Sequence, residues 1–161
     1  MGHLSGYQQR EADITRYTKK EEQFAQDIEY LCDVKLWKDC RNATSTHNYS
    51  EIDYMIIDQN KNIKGFIELK TSNNAHDTYK DYVLDHSKLA YIRTKALQTS
   101  LPIYVAVRWQ DVDMIYEYNP RHSFRIQVSG RTKHYRGKFD QKEVEYIPIK
   151  KHFRRLNGDV L

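Results

Sequence analysis

Cysteine, proline, glycine and long apolar runs are all scarce in this chain of 161 residues. Its two cysteines, Cys32 and Cys40, form no CxxC pair and have no histidine at a zinc-like spacing, which argues against a disulfide or a structural zinc site. The three prolines and six glycines leave no low-complexity segment, internal repeat or interdomain linker. No window approaches the roughly eighteen apolar residues of a membrane span, and the N-terminus has no apolar signal-peptide core. We therefore expect an intracellular protein without a membrane partner.

The length suits one domain that buries about 70% of the surface exposed by its unfolded chain. Residues 1–18 show no clear hydrophobic period and are expected to form a loose N-terminal arm. Residues 19–161 are expected to form a single domain.

Positive charge is concentrated near the C-terminus. Residues 121–161 hold eleven Lys and Arg against four Asp and Glu, whereas the whole chain has a net charge of only +4. Aromatic residues interleave with these cations, as in Lys133-His-Tyr-Arg136 and Lys138-Phe139. Cations beside stacking rings suit a polyanionic, base-bearing partner, although a solvated strand face is the alternative for any single residue. The clustering favours nucleic acid and predicts that Arg131, Lys133, Arg136 and Lys138 contact its backbone.

Hydrophobic periodicity predicts the order of the secondary structure elements. The expected helices cover residues 19–32 and 84–100. The expected strands cover residues 51–58, 65–71, 103–109 and 114–118, with shorter or weaker candidates at 34–37, 125–129 and 143–149. The run Ile103-Tyr-Val-Ala-Val107 is continuously apolar, which is typical of a central strand covered on both faces. A strand-helix-strand unit over 65–109 implies a crossover and parallel pairing, and hence a small mixed sheet flanked by helices.

Two neighbouring strands carry the residues that indicate chemistry. Successive strand side chains alternate between faces, so Glu68 and Lys70 share one face while Ile67 and Leu69 share the other. Asp53 lies on the preceding strand, so strand pairing would bring two carboxylates and an ammonium together. Such a group can hold a divalent cation and activate water against a phosphodiester. The alternative is an ion pair on a solvated sheet, worth only ~0.2–1 kcal/mol.

The motif and the element order together resemble the PD-(D/E)XK nuclease superfamily, which has the restriction-endonuclease-like fold. Asp53 matches the aspartate, and Glu68-Leu69-Lys70 match the (D/E)-x-K tripeptide, while Ile52 replaces the proline. The likeness covers roughly residues 19–118. It implies an α/β fold with a small mixed central sheet in α-β-β-β-α-β order, followed here by a basic, β-rich C-terminal extension. Residues 19–161 would then be one nuclease-like domain.

The resemblance also implies roles for individual residues. Asp53, Glu68 and the Leu69 carbonyl would bind Mg²⁺ or Mn²⁺, and Lys70 would orient or deprotonate the attacking water. Many members add a glutamate on the first helix, for which Glu21 is the best match and Glu22 the reserve. Hydrolysis would leave a 5′-phosphate.

Weaker candidates lie around the start of the second helix. Related folds often place there a polar residue that faces the metal, so His86 and Lys88 are candidates, with an ordinary surface turn as the alternative. His76, Tyr79 and Tyr82 in the preceding loop could touch substrate.

Two other functions remain open on the sequence alone. One is a non-catalytic nucleic-acid-binding module on the same fold, and the other is an unrelated basic α/β adaptor in which Glu68 and Lys70 form only an ion pair. The resemblance favours a metal-dependent endonuclease acting on DNA. Many members are dimeric, so the resemblance also allows a homodimer. Small phage-encoded nucleases look similar, and such an enzyme would work in the host cytoplasm.

Overall fold

The computed structural model describes residues 6–38, 52–130 and 141–161, and these ranges contain three helices and nine strands. The helices are α1 (Gly6–Cys32), α2 (His86–Thr99) and α3 (Ile149–His152). The strands are β1 (Lys35–Lys38), β2 (Tyr54–Ile57), β3 (Ile63–Thr71), β4 (Asp81–Asp85), β5 (Ile103–Arg108), β6 (Asp113–Glu117), β7 (Arg125–Gly130), β8 (Gln141–Pro148) and β9 (Phe153–Arg155). They form two sheets, ordered β1-β2-β3-β5-β6-β9 and β4-β8-β7.

The larger sheet is mixed, as the sequence predicts. Strands β3 and β5 pair in parallel, and every other pair in this sheet is antiparallel. The connection from β3 to β5 passes through β4 and α2, which confirms the predicted crossover.

The two faces of the larger sheet bury separate apolar clusters. On one face, Phe24 and Ile28 of α1 lie in a cluster with Ile67 and Leu69 of β3. On the other face, the cluster joins residues of α2 to alternate residues of β3 and β5, namely Leu89, Ile92, Phe66, Val105 and Val107. Strand β5 is buried from Ile103 to Val107, which confirms a central strand covered on both faces. Strand β3 therefore presents alternate side chains to α1 and to α2.

The turn between β2 and β3 is built around one aspartate. Asp58 Oδ1 accepts the backbone N–H groups of Asn60 and Asn62, each at 2.9 Å. Lys61 has a φ of 64°, a left-handed conformation that the same turn requires. The predicted hairpin is confirmed, and it places β2 antiparallel to β3.

Two segments differ from the sequence expectation, one at the start of α1 and one just before α2. Helix α1 begins at Gly6, so the expected loose arm over 1–18 is wrong for residues 6–18. The second helix begins at His86, because Asp81–Asp85 form β4 and pair with β8 instead. The apolar pair Val83-Leu84 carries no sign of that distant partner, so the sequence alone assigns Leu84 to the helix. The division into an arm and one domain stays a prediction.

The C-terminal extension is rich in strand, as expected, but it returns to the larger sheet. Strands β7 and β8 pair with each other, and β8 also pairs with β4. The short helix α3 then leads into β9, which pairs with β6 at the edge of the larger sheet. Neither α3 nor β9 was expected from the sequence.

No helix in the described parts of the chain is long and apolar enough to cross a lipid bilayer.

Replacing Gly65 with alanine is expected to destabilise the protein by about 1–3 kcal/mol, because an added Cβ would overpack the junction of β3 and β5. That Cβ would lie 2.5 Å from the backbone oxygen of Pro102, which also accepts the Phe66 N–H at 3.0 Å. Urea unfolding measures the change. The neighbouring Lys64→Ala, at an exposed side chain, should stay within about 0.5 kcal/mol of the native chain. Equal midpoints for the two variants would contradict the overpacking.

Candidate active site

Asp53 is fixed beside β3 by a backbone hydrogen bond. The pairing of β2 with β3 starts at Tyr54 opposite Ile67, so Asp53 lies just beyond the last pair. Its Oδ2 accepts the Leu69 N–H at 2.9 Å, and the residue is only 8% exposed. The carboxylate thus lies against the backbone between Glu68 and Lys70.

Glu68 is fully buried and lies between two lysines. Its Oε1 is 2.6 Å from Lys70 Nζ and 3.0 Å from Lys88 Nζ. Its Oε2 accepts a hydrogen bond from Lys88 at 3.1 Å. Because Glu68 has an exposure of 0%, the alternative of a solvated surface ion pair is wrong for this residue. A fully buried carboxylate is costly unless it is paired or binds a cation.

The Oε1 atom of Glu68 has ion-pair contacts but no directed hydrogen bond. Both ammonium groups are close to it, but they approach at angles that are unfavourable for a hydrogen bond. A buried oxygen without a hydrogen bond retains a lone pair for another ligand. Hard carboxylate oxygens are the ligands that Mg²⁺ and Mn²⁺ prefer, so the donor set fits a divalent cation.

Glu21 of α1 adds a third carboxylate to the group. Burial and then the negative charge of Asp53 raise its pKa from the ordinary 4.5 to about 7, against the opposing effect of Lys70 and Lys38. The charges of both Asp53 and Glu68 thus act on the Glu21 carboxyl group, which α1 carries. Its neighbour Glu22 is exposed. Helix α1 thus brings Glu21, rather than Glu22, to the other two carboxylates.

Lys70 stays charged in the absence of a metal ion. Burial lowers the pKa of Lys70, but the charges of Glu68 and Asp53 outweigh burial and raise it above its usual value. A bound divalent cation would partly cancel those two negative charges and shift the pKa of the lysine back down. Tyr82 of β4 also lies within electrostatic range of Lys70 and Glu68, and burial raises the pKa of its hydroxyl.

The two candidates at the start of α2 face different partners. Lys88 contacts Glu68, whereas His86 Nδ1 lies 2.9 Å from Glu145 Oε2 on β8. Glu145 is 1% exposed and accepts two further hydrogen bonds from Arg93, at 2.7 and 3.1 Å. His86 therefore helps to attach α2 to the smaller sheet and does not contact Glu68. Sequence reasoning missed Glu145, whose only signal was an acidic residue inside the apolar alternation of β8.

A second group with metal-binding potential lies outside these carboxylates. Ligand atoms of His76, Asp77 and Asp111 all lie within 4.8 Å of one another. Within the group, His76 Nδ1 is 2.6 Å from Asp111 Oδ2, and the His76 N–H bonds to the other oxygen. These contacts tie the loop after β3 to the turn after β5, which accounts for the group without an ion.

The predicted nucleic-acid contacts Arg131, Lys133, Arg136 and Lys138 lie outside the described residues. Within the adjoining strands, Arg125 stacks over the Tyr146 ring with its guanidinium carbon 4.2 Å from the ring centroid. This pair shows one cation of the extension held on an aromatic ring, but it does not test the four predicted contacts.

The mixed sheet, its parallel β3–β5 pair and the Asp53, Glu68-Leu69-Lys70 arrangement together define a restriction-endonuclease-like protein of PD-(D/E)XK type. The family described as "Phage putative PDDEXK endonuclease" matches residues 9–156, and the chain belongs to that family. Its structure is similar to that of a Holliday junction resolvase, Hjc of Archaeoglobus fulgidus, with 10% sequence identity and a TM-score of 0.44. That likeness covers 83% of this chain and 94% of the resolvase. No curated protein matches the chain.

Proposed function

We propose that the protein is a metal-dependent endonuclease that hydrolyses phosphodiester bonds, with DNA as the expected substrate and Mg²⁺ or Mn²⁺ as the cofactor. The observation that carries the proposal is the convergence of three carboxylates, from Glu21, Asp53 and Glu68, around Lys70. Further negative charge around a fully buried carboxylate does not stabilise the fold. It does create a site that suits a divalent cation. Family membership supports the nuclease assignment.

Each residue then has a separate task. Asp53, Glu68 and the Leu69 carbonyl would hold the metal ion, and Glu21 would bind a second ion or a metal-bound water. When bound, the ion supplies Lewis acidity at the phosphate and lowers the pKa of a ligated water. Lys70 would orient the attacking water and neutralise charge that develops on the phosphate oxygens. Lys88 would position Glu68 through its contacts with both carboxylate oxygens, at 3.0 Å to Oε1 and 3.1 Å to Oε2.

The test is cleavage of labelled duplex DNA, branched DNA, single-stranded DNA and RNA with Mg²⁺, Mn²⁺ or chelator. We expect cleavage of DNA that chelation stops, with 5′-phosphate ends as the family resemblance implies. A circular DNA without ends distinguishes internal cutting from end-dependent degradation. Binding without cleavage under every metal condition would instead support the non-catalytic module. The phage description of the family supports action inside an infected host cell, and sedimentation with and without DNA tests the expected homodimer.

Neutralising the predicted nucleic-acid contacts Arg131, Lys133, Arg136 and Lys138 should weaken DNA binding without stopping catalysis. Replacing Arg131, Lys133, Arg136 and Lys138 together with glutamine removes four candidate cations from the DNA backbone. For each phosphate that is no longer neutralised, the slope of log affinity against log salt should fall by about 0.7–0.9, because fewer counterions are released on binding. The rate at saturating substrate should survive. The matched control replaces Lys19 and Lys20, exposed on α1. If the salt slope of the quadruple variant equals that of the wild type, these four residues do not contact the DNA backbone.

A further inference from the structure

A cavity lined by aromatic side chains opens beside the candidate active site. Its volume is about 490 Å³, within the range typical of ligand sites. Its aromatic lining comes from three different parts of the chain, with Tyr79 and Tyr82 from one segment, Trp109 from directly after β5 and Tyr146 from β8. Neither the motif nor the family match assigns a role to this cavity.

The walls of the cavity are fixed before any ligand binds. Tyr82 packs edge-to-face on Trp109, with ring centroids 5.8 Å apart, and Trp109 is only 6% exposed. The loop after β3 is attached to the turn after β5 by the Gln110 N–H bond to the Asn74 oxygen at 3.0 Å. At its other end, the Lys80 oxygen accepts the Ile149 N–H at 3.0 Å. A prearranged site loses little conformational entropy on binding.

One aromatic ring is left exposed at the cavity. Tyr79 is 66% exposed, whereas Tyr82 and Trp109 are held in the aromatic cluster. An exposed ring beside a largely apolar cavity offers a face on which a planar ligand can stack. Lys80 also lines the cavity with its ammonium group, and Ser72, His76 and Asp81 offer hydrogen-bonding groups. A nucleotide fits this lining better than an apolar peptide does, because the lining offers flat stacking surfaces, an ammonium group and a few polar groups.

The cavity lies next to the proposed catalytic centre. Tyr82 lines the cavity and also lies within electrostatic range of Lys70 and Glu68. Ser72 lines the cavity two positions after Lys70, just beyond the end of β3. A phosphate placed at Lys70 would therefore have a neighbouring nucleotide beside the cavity.

We propose that this cavity binds one unstacked nucleobase of the nucleic-acid substrate, next to the phosphate that is cleaved, with Tyr79 as the stacking face. The inference rests on the proposed nuclease function and adds a substrate class: strands with a base free to leave the stack, such as single strands, junctions or distorted duplexes. Unstacking a base from a continuous duplex costs a few kcal/mol, so we expect duplex DNA to bind less tightly.

The test measures binding of a labelled single-stranded oligonucleotide and of a series in which one abasic residue is moved along it. Chelator is present so that no metal-dependent cleavage occurs. In the wild type, one abasic position should weaken binding roughly 5- to 150-fold, the range for one stacked base. Tyr79→Ala should bind the intact strand that much more weakly and should show no further loss at that position. Tyr79→Phe should bind like the wild type because it keeps the ring.

The matched control is Tyr30→Ala, which removes another exposed tyrosine, 93% exposed on α1. It should leave affinity unchanged. A flat abasic series in the wild type, or wild-type affinity in Tyr79→Ala, overturns the proposal. Binding of a free nucleoside monophosphate that Tyr79→Ala abolishes, with oligonucleotide affinity unchanged, also overturns it and makes the cavity a small-molecule site.

Cleavage with Mg²⁺ or Mn²⁺ is scored separately from binding. A wild type that shows the abasic effect but cleaves nothing refutes the nuclease function while the base-binding cavity stands. A wild type that cleaves DNA with a flat abasic series refutes the cavity alone.

Discussion

Glu68→Gln and Lys70→Ala should each lower the rate of DNA cleavage at least about a thousandfold, with the fold intact. Glutamine keeps the shape of Glu68 but removes the charge that would hold a metal ion, whereas alanine would also leave Lys70 and Lys88 without their buried partner. Losing one member of a buried ion pair costs about 3–5 kcal/mol, so the isosteric Glu68→Gln separates chemistry from stability. In Lys70→Ala the Glu68 carboxylate keeps Lys88 as its partner. Single-turnover cleavage with saturating enzyme measures the effect.

Asp53→Asn belongs to the same experiment, because the three residues act as one unit. Losses in such a unit are strongly non-additive, so the triple variant should be little slower than the slowest single variant. The control is Glu117→Gln on β6, where the carboxylate is about half exposed and pairs only loosely with Arg154 at 3.5 Å. Full activity in both Glu68→Gln and Lys70→Ala, while the wild type cleaves, would refute the assignment.

Glu21 should make the metal-free protein less stable as the pH rises from about 4.5 to 7. In the folded chain the pKa of Glu21 is raised to about 7, whereas in the unfolded chain it returns to the ordinary 4.5. Between these values the folded state binds more protons, so the free energy of unfolding falls as pH rises and levels off above about 7. The expected loss from this residue is about 1–3 kcal/mol. Below about pH 4.5 Glu21 is protonated in both states and contributes no slope.

Urea unfolding in chelator from pH 4 to 8 measures this slope. Glu21→Gln should flatten it, while the adjacent and exposed Glu22→Gln should leave it unchanged. A divalent cation favours the ionised form of Glu21, so Mn²⁺ should stabilise the wild type more at pH 8 than at pH 6. Glu21→Gln should reduce that difference and lower activity less than Glu68→Gln does. Equal pH slopes in the wild type and Glu21→Gln would show that the pKa of Glu21 is not raised. An Mn²⁺ effect that Glu21→Gln leaves unchanged would show that Glu21 lies outside the proposed metal site.

Local strand patterns were enough to predict which residues of β2 and β3 come together. Alternation along β3 separates Glu68 and Lys70 from Ile67 and Leu69, and the Asp58 turn brings β2 back beside them. The placement of Glu21 followed from helical spacing together with the family resemblance. These features depend on neighbours in the sequence or on one repeating period, which a single chain reveals.

Contacts between distant segments were not predictable in the same way. The last two residues of β4, Leu84 and Asp85, look like the start of a helix until β8 supplies their pairing partner. Glu145 meets Arg93 and His86, which are 52 and 59 positions away. Residues 153–155 show too short a pattern to indicate a strand, and only the free edge of β6 gives them one. Tertiary pairing decides these elements, and their local propensity is weak.

The return of β9 to the edge of β6 determines which fragments of this protein can fold. The motif and element order that resemble the nuclease superfamily extend over roughly residues 19–118, although the family match reaches residue 156. Phe153 packs on Tyr116 with ring centroids 5.8 Å apart, and Glu145 neutralises Arg93 of α2. A chain shortened to that stretch would uncover Tyr116 and release the helix that carries Lys88. The extension is thus packed into the same fold as Glu68 and Lys70, so a shortened chain should keep it.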